Sequence, residues 1–402
     1  MAGFVTRGQP AAIRQVSAMI AAGLPHALLL VGPRSVGKTT LALDIAAAQL
    51  CMAADGADRP CRSCRGCRLV DDRNHPDVHR LAPEGAGGTV GIDAVRDLVT
   101  ELALLPAEGG ARLAIVEAAH RLTEDAQNAL LKTLEEPPNG VTLILCAEDE
   151  DRLLPTIHSR VARVRLGTLA PRDIEELLEA RGEADAPTAN RLARLAGGRP
   201  GLAIAYARSS NAAAIRGELA RSLLDLAGAP RAMRLVRIRE LLARATDLAT
   251  ALTPPLDDTA AQPKRRGRSG AGPTPVATPD PAVAAGTDGE SAPGAGDADG
   301  EGAATGGKAS PAQRRRAATV LFEVWREIAR DLAVVGLGDA THLHDPDLLE
   351  ELERVARAFP AGSAGRFLAR LDRASQLLDA NANPELAADV LALSWPRVVA
   401  AA

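Results

Sequence analysis

The residues best suited to chemistry are Gly32-Pro33-Arg34-Ser35-Val36-Gly37-Lys38-Thr39-Thr40, which satisfy GxxxxGK[ST] in full. Glycines let successive backbone N–H groups converge on a phosphate cluster, and the following helix N-terminus adds partial positive charge. In that reading Gly32 and Gly37 shape the loop and Lys38 reaches the terminal phosphates. Thr39 offers its hydroxyl to a magnesium ion, with Thr40 as the second hydroxyl of the turn. ATP or ADP with Mg2+ is therefore the expected ligand. The competing reading is a glycine turn capped by Thr39.

Four thiols follow. Cys51, Cys61, Cys64 and Cys67 give C-x9-C-x2-C-x2-C, a spacing that bends the backbone around one centre. Four thiolates satisfy tetrahedral zinc with no open position, so the expected site is a structural Zn2+ knuckle over 51–67. An iron–sulfur cluster and unliganded thiols remain as alternatives; no proline follows Cys67, unlike the usual cluster run. His75 and His79 lie nearby as substitute ligands, while Cys146 sits in an apolar stretch and reads as an ordinary buried residue.

An acid at the end of a strand would hold magnesium through its water shell, and a second beside it would activate the attacking water. Glu117, after the apolar run Ala111–Val116, can do the first job. Ala118 cannot do the second, and His120 is too far along the chain to replace it.

Positioning these groups requires alternating strands and helices. Ala27–Val31 reads as a buried parallel strand and Thr39–Leu50 as the helix after it, the context the glycine motif needs. Further strands are expected at Asn74–Leu81, Ala111–Val116, Val141–Cys146 and Val161–Leu166, with helices at residues 7–23, 92–105 and 122–135. Pro137-Pro138 stop the last of these. His26, just ahead of the first strand, is expected to make a structural or nucleotide-edge contact. The second half is helical: Pro171–Ala180, Ala189–Leu195, Leu202–Arg208, Ser210–Ala227 and Arg231–Leu252, then Ala317–Val335, Asp347–Ala358, Ala364–Leu378 and Pro384–Leu393. Trp325 and Trp395 are read as core anchors. Residues 254–311 carry few large apolar side chains and are expected to form a disordered linker. Its basic knot, Lys264-Arg265-Arg266 and Arg268, and the trio Arg314-Arg315-Arg316 read as solvated charge, with contact to DNA or an acidic partner as the alternative.

The 402 residues suit two or three domains. Hydrophobic residues make up 46% and aromatics 2%, which favours helix-rich packing. A formal charge of -4 gives no global attraction to nucleic acid. No signal-like segment or run long enough to cross a bilayer is evident, so a cytoplasmic, membrane-free protein is expected, with cysteines used for metal in place of disulfides.

Taken together, the P-loop, the cysteine knuckle inserted after its helix, the run Asn128-Ala129-Leu130-Leu131-Lys132-Thr133-Leu134-Glu135-Glu136-Pro137-Pro138, and Ser159-Arg160 after Leu154-Pro155-Thr156-Ile157 resemble bacterial clamp-loader subunits of DNA polymerase III, on the side of the delta prime family. The resemblance covers residues 1 to about 205. It implies an α/β AAA+ P-loop module, a parallel sheet with flanking helices, over 1–168. A small helical lid over 169–208 and an all-α C-terminal collar over 209–253 plus 312–402 would follow. It further implies that Arg160 is a trans arginine finger entering a neighbour's ATP site, where a planar, always-charged head suits a transferring phosphate; the alternative is a surface arginine paired with a local acid. Val161 stands where the family signature has cysteine. Arg199 stands at the family's sensor arginine, reaching a γ-phosphate or else the surface.

Two departures favour a stator over a motor: Ala118 for the second acid, and Cys146-Ala147-Glu148 where a sensor threonine is expected. The resemblance thus implies a subunit with little or no ATPase and no polymerase site of its own. It would sit in a hetero-pentameric ring with gamma/tau and delta subunits and help load the sliding clamp onto primer-template DNA during replication. An ATP-hydrolysing gamma/tau-type motor is the alternative. A nucleotide kinase would need a substrate lid with convergent arginines near the loop, which the sequence lacks.

Overall fold

The computed structural model describes residues 3–54, 56, 59–83, 88–108, 110–253 and 310–398. The expected linker, including its basic knot, lies outside the described residues apart from Ser310 and Pro311.

The chain enters through α1 (Pro10–Ala22) and β1 (Ala27–Val31), turns through the glycine loop and continues as α2 (Lys38–Gln49). A short α3 (Arg65–Asp71), not anticipated from the sequence, lies within the cysteine knuckle; the Cys64 sulfur caps it by accepting from Cys67 N–H. Then come β2 (Val78–Leu81), α4 (Ile92–Leu102), β3 (Arg112–Val116), α5 (Glu124–Glu135), β4 (Val141–Ala147), the single turn α6 (Pro155–His158) and β5 (Ala162–Arg165). All pairings are parallel, in the order β2-β3-β4-β1-β5. The β1 register pairs Leu29 with Leu145 on one side and Arg163 on the other, so the strand feeding the glycine loop lies between two others.

Alternation along β1 assigns the two faces. Leu28 and Leu30 join a buried cluster with Val16 of α1 and Leu41 and Ile45 of α2. Leu29 joins Val95 and Leu98 of α4 and Leu130 of α5 on the opposite face. Both faces are covered, which is why the strands read as continuous apolar runs. Strand β2 starts later than expected because the chain turns just before it, with Asn74 N–H donating to Leu69 O (2.8 Å) and Val78 N–H to His75 O (3.1 Å); the Asp77 carboxylate accepts from Ala107 N (2.7 Å) and Glu108 N (3.0 Å).

Helices α7 (Pro171–Ala180), α8 (Ala186–Leu195) and α9 (Pro200–Arg208) follow, then α10 (Ala212–Asp225) and α11 (Arg231–Ala251). After the undescribed stretch come α12 (Pro311–Gly336), α13 (Leu349–Ala358), α14 (Ser363–Asp379) and α15 (Pro384–Ser394). Helix α12 begins six residues ahead of the apolar periodicity because Ser310 and Gln313 form a capping box with Pro311 at the first position. Pro311, expected to end the linker, is therefore helical. Arg314 to Arg316 lie in its first two turns, where Arg316 donates to Thr253 at the end of α11. Helices α11 and α12 pack together. One buried cluster runs from Leu169 through α7–α15. At its centre Trp395 meets Phe367 edge-on at 4.5 Å and Trp325 at 5.5 Å.

Candidate functional site

The glycine loop leaves the carboxyl end of the sheet, where open α/β sheets place ligands. Gly32 N–H donates to Ala147 O of β4 (3.1 Å), fixing the loop's start. A Cβ on Gly32 would lie 2.2 Å from Leu166 O, so only glycine fits there. Ser35 has φ +60° and Gly37 φ +102°, which turn the loop back onto α2. Lys38 donates from Nζ to Gly32 O (2.8 Å) and Pro33 O (2.7 Å). Its amine spans the loop, and burial lowers its pKa.

Beside the loop lies a cleft of about 240 Å3. Its walls are the N-terminal segment Val5, Thr6 and Arg7, the loop residues Ser35, Val36 and Gly37, both Thr39 and Thr40 of α2, Leu177 and Arg181 of α7, and Pro200, Gly201 and Ile204 of α9. The helical region closes directly onto the loop, with Gly201 N–H donating to Ser35 O (2.9 Å). The lining is mixed: the side chains of Thr39, Thr40, Arg7 and Arg181 stand beside the aliphatic walls of Val5, Leu177, Pro200 and Ile204.

The N-terminal wall was not singled out by sequence reasoning. Asp44 of α2, 1% exposed, holds it: Oδ1 accepts from Val5 N (3.0 Å), while Oδ2 accepts from Thr6 N (2.9 Å) and Thr6 Oγ1 (2.6 Å). Arg62 of the cysteine knuckle pairs with the same carboxylate, with Asp71, and with Gly3 O (2.7 Å). The knuckle and the cleft therefore share one ion pair.

The four cysteine sulfurs lie within 4.8 Å of one another, and Cys51 and Cys64 sulfurs are 4.0 Å apart. A tetrahedral zinc with bonds of about 2.3 Å places its sulfurs about 3.8 Å apart, so the cluster could bind such a metal. Backbone N–H groups point at the sulfurs: Cys61 N to Cys51 (3.4 Å), Cys64 N to Cys61 (3.4 Å), and Met52 N and Cys67 N to Cys64 (3.5 Å each). Hydrogen bonds from Ser63 and from Cys64 N–H bring the Cys61 thiol down to about 5, whereas burial pushes Cys67 up to about 12. His75, the possible substitute, is used elsewhere, accepting from Asp77 N (3.1 Å). Cys146 is buried in β4, and burial pushes its thiol to about 12.

The remaining expected site residues are dispersed. Glu117 follows β3 and is held by Arg80 of β2, Nε to Oε1 at 3.0 Å. Ala118 has φ +53° and ψ +50°, a left-handed conformation costly for a residue with a Cβ. His120 is buried behind the loop, accepting at Nδ1 from Glu148 N (3.2 Å). Burial, then Arg121, Arg152 and Lys38, lower it to about 4. His26 makes a structural contact, with Nε2 3.1 Å from Leu134 O. Arg160 follows α6 at the surface, its Nη2 2.6 Å from Glu135 and its Nη1 donating to Thr156 O (2.7 Å). Gln127 of α5 braces that segment, donating to Arg152 O (3.1 Å) and accepting from Leu154 N (2.8 Å).

Arg199 caps α9 one residue from the cleft, but its guanidinium turns to α12, where it pairs with Glu327 and lies 3.7 Å from Glu323. Arg34 of the glycine loop reaches the same helix, 3.3 Å from Glu323. Glu323 and Glu327, four apart on α12, were not anticipated. Their helical spacing was visible, but their partners were not.

Residues 8–170 match the family described as DNA polymerase III, delta subunit. The chain is 39% identical over 178 residues to DNA polymerase III subunit delta' of Pseudomonas aeruginosa, covering 44% of this chain and 53% of that one. It is 38% identical over 146 residues to the same subunit of Escherichia coli, 36% and 42% of the two chains. The tau subunit of Escherichia coli is 32% identical over 154 residues, 38% and 23% of the two chains. The matched region spans about half the length of the delta' relatives. A gamma subunit-related protein from Thermotoga maritima aligns over 95% of this chain and 97% of its own, at TM-score 0.39 and 16% identity. Among the described residues no helix is long and apolar enough to cross a membrane.

Proposed function

We propose that this chain, whose N-terminal region is related to delta prime subunits of DNA polymerase III, is a stator-type AAA+ subunit of a bacterial clamp loader, acting in the cytoplasm. It joins delta and gamma/tau subunits in a five-membered ring, helps seat the sliding clamp on primer-template DNA, and lends Arg160 to a neighbouring ATP site. The observation carrying this reading is an intact phosphate cradle beside a strand end that offers one acid only. Glu117 is engaged by Arg80, and Ala118 follows it with no proton-accepting group. A buried histidine brought to about 4 is a weak base at neutral pH, so His120 does not replace the missing acid.

In this reading Gly32, Gly37 and Lys38 hold the phosphates of ATP or ADP, and Thr39 and Thr40 sit where a magnesium ion would bind. Val5, Thr6 and Ile204 form the wall for the remainder of the nucleotide. Cys51, Cys61, Cys64 and Cys67 would hold zinc, which supplies no chemistry and only ties the knuckle to α2. Arg160, half-buried at the end of a braced turn and paired there with Glu135, would have to exchange that acid for a neighbour's nucleotide, where its guanidinium would offset charge developing on the transferred phosphoryl group.

Reconstitution with delta and gamma or tau subunits, measuring ATP turnover with and without this chain, tests the proposal. Turnover that depends on this chain, together with near-background hydrolysis by the chain alone, supports it. Brisk hydrolysis by the isolated chain, abolished in Lys38→Ala, would establish the gamma/tau-type motor reading instead.

A further inference from the structure

Two acids on one face of α12 hold two arginines that flank the cleft, each next in sequence to one of its wall residues. Glu323 lies 3.3 Å from Arg34 of the glycine loop and 3.7 Å from Arg199, and Arg199 also pairs with Glu327. The second oxygen of Glu327 accepts from Arg216 Nη2 at 2.9 Å, and Arg216, fully buried, is held in turn by Asp345. Glu327 is thus anchored from below by a guanidinium that cannot leave, whereas Arg199 and Arg34 occupy its open side and that of Glu323.

Arg34 belongs to the phosphate-binding motif, and Arg199 directly precedes Pro200 and Gly201 of the cleft wall. Both are cations one residue from the cleft wall, neutralised by carboxylates from a helix more than a hundred residues away in sequence. Removing Arg199 from Glu327 leaves that carboxylate paired with Arg216, and Glu323, a quarter exposed, passes to water. The exchange leaves Arg216 shared by the carboxylates of Glu327 and Asp345, so neither buried acid loses its last partner.

We propose that Glu323 and Glu327 are positioning residues that set the preference of the cleft between nucleoside tri- and diphosphates. They hold Arg34 and Arg199 on α12, and a terminal phosphate in the cradle competes with them for the guanidiniums. The inference rests on the cleft being a nucleotide site. Its consequence is a link between the phosphate state of the cleft and the helical C-terminal half that carries α12.

The test is fluorescence titration of the full chain with mant-ADP and mant-ATPγS in magnesium buffer, comparing the wild type with Glu323→Gln. The neutral variant should raise ATPγS affinity about fivefold or more while ADP affinity stays within twofold, a shift in ratio that general loosening would not produce. Glu323→Asp, which keeps the charge, should restore the ratio towards wild type. Because Glu323→Gln could disturb packing, hydrogen exchange of the wild-type chain gives a second readout. ATPγS should accelerate exchange in α12 and ADP should not. Binding of both nucleotides with an unchanged ratio, or identical exchange with the two, overturns this inference and leaves the nucleotide site intact. Failure of both nucleotides to bind wild type and variant overturns the nucleotide site itself and this inference with it.

Discussion

Replacing Asp44 by asparagine removes the charge that joins the cysteine knuckle to the N-terminal wall of the cleft. The side chain keeps its shape, but an amide has one acceptor oxygen where the carboxylate has two. Val5 N–H and the Arg62 guanidinium converge on Oδ1, and Thr6 N–H and Oγ1 on Oδ2. Either orientation of the asparagine therefore sets its NH2 against two donors. Removing one partner of a buried ion pair, here the charge that faces the mostly buried Arg62 guanidinium, costs about 3–5 kcal/mol. At roughly 2 °C per kcal/mol this lowers the melting temperature of the metal-loaded chain by about 6–10 °C. Calorimetry of wild type and Asp44→Asn measures it, and hydrogen exchange at Val5 and Thr6 locates it. Weaker nucleotide binding should accompany it, because Val5 and Thr6 line the cleft. A shift under about 2 °C, the scale of an exposed ion pair, would refute the assignment of Asp44 as the buried hub.

Purified protein should contain close to one zinc per chain by metal analysis, and Cys64→Ser should release it; iron in place of zinc would reject the zinc assignment. In a reconstituted ring, Arg160→Ala should lower ATP turnover at the neighbouring site by roughly tenfold or more while assembly persists, and unchanged turnover would remove the trans role. His120, lowered from 6.5 to about 4 chiefly by burial, is neutral in the folded chain where the unfolded chain takes up a proton. Its contribution is therefore full above pH about 6.5 and is lost as pH falls towards 4, amounting to about 3 kcal/mol. Asn in its place should flatten that part of the stability profile, and an unchanged slope between pH 6.5 and 4 in His120→Asn would refute it.

Much of the cleft was legible because the determinants are contiguous. A strand of Ala27–Val31, two glycines and a helix-forming run specify the glycine loop locally, since sterics of φ and ψ act between neighbours. The same holds for the cysteine spacing and for helical periodicity in the second half. Where local signals were interrupted, the reading slipped. The capping box at Ser310 started α12 ahead of its apolar stripe, and the backbone turn from His75 to Val78 delayed β2.

What the sequence alone determined, then, were the parts whose geometry is set by covalent neighbours: the glycine loop between β1 and α2, the thiol spacing, a single acid, Glu117, directly after β3, and the alternation of strands and helices. Only the tertiary structure decided the destination of long charged side chains. Arg34 and Glu323 are 289 residues apart, and nothing in either segment names the other. An arginine pairs with the carboxylate that the packed helices bring within its reach, and for Arg34 and Arg199 that carboxylate stands on α12, which only the folded second half carries to the loop.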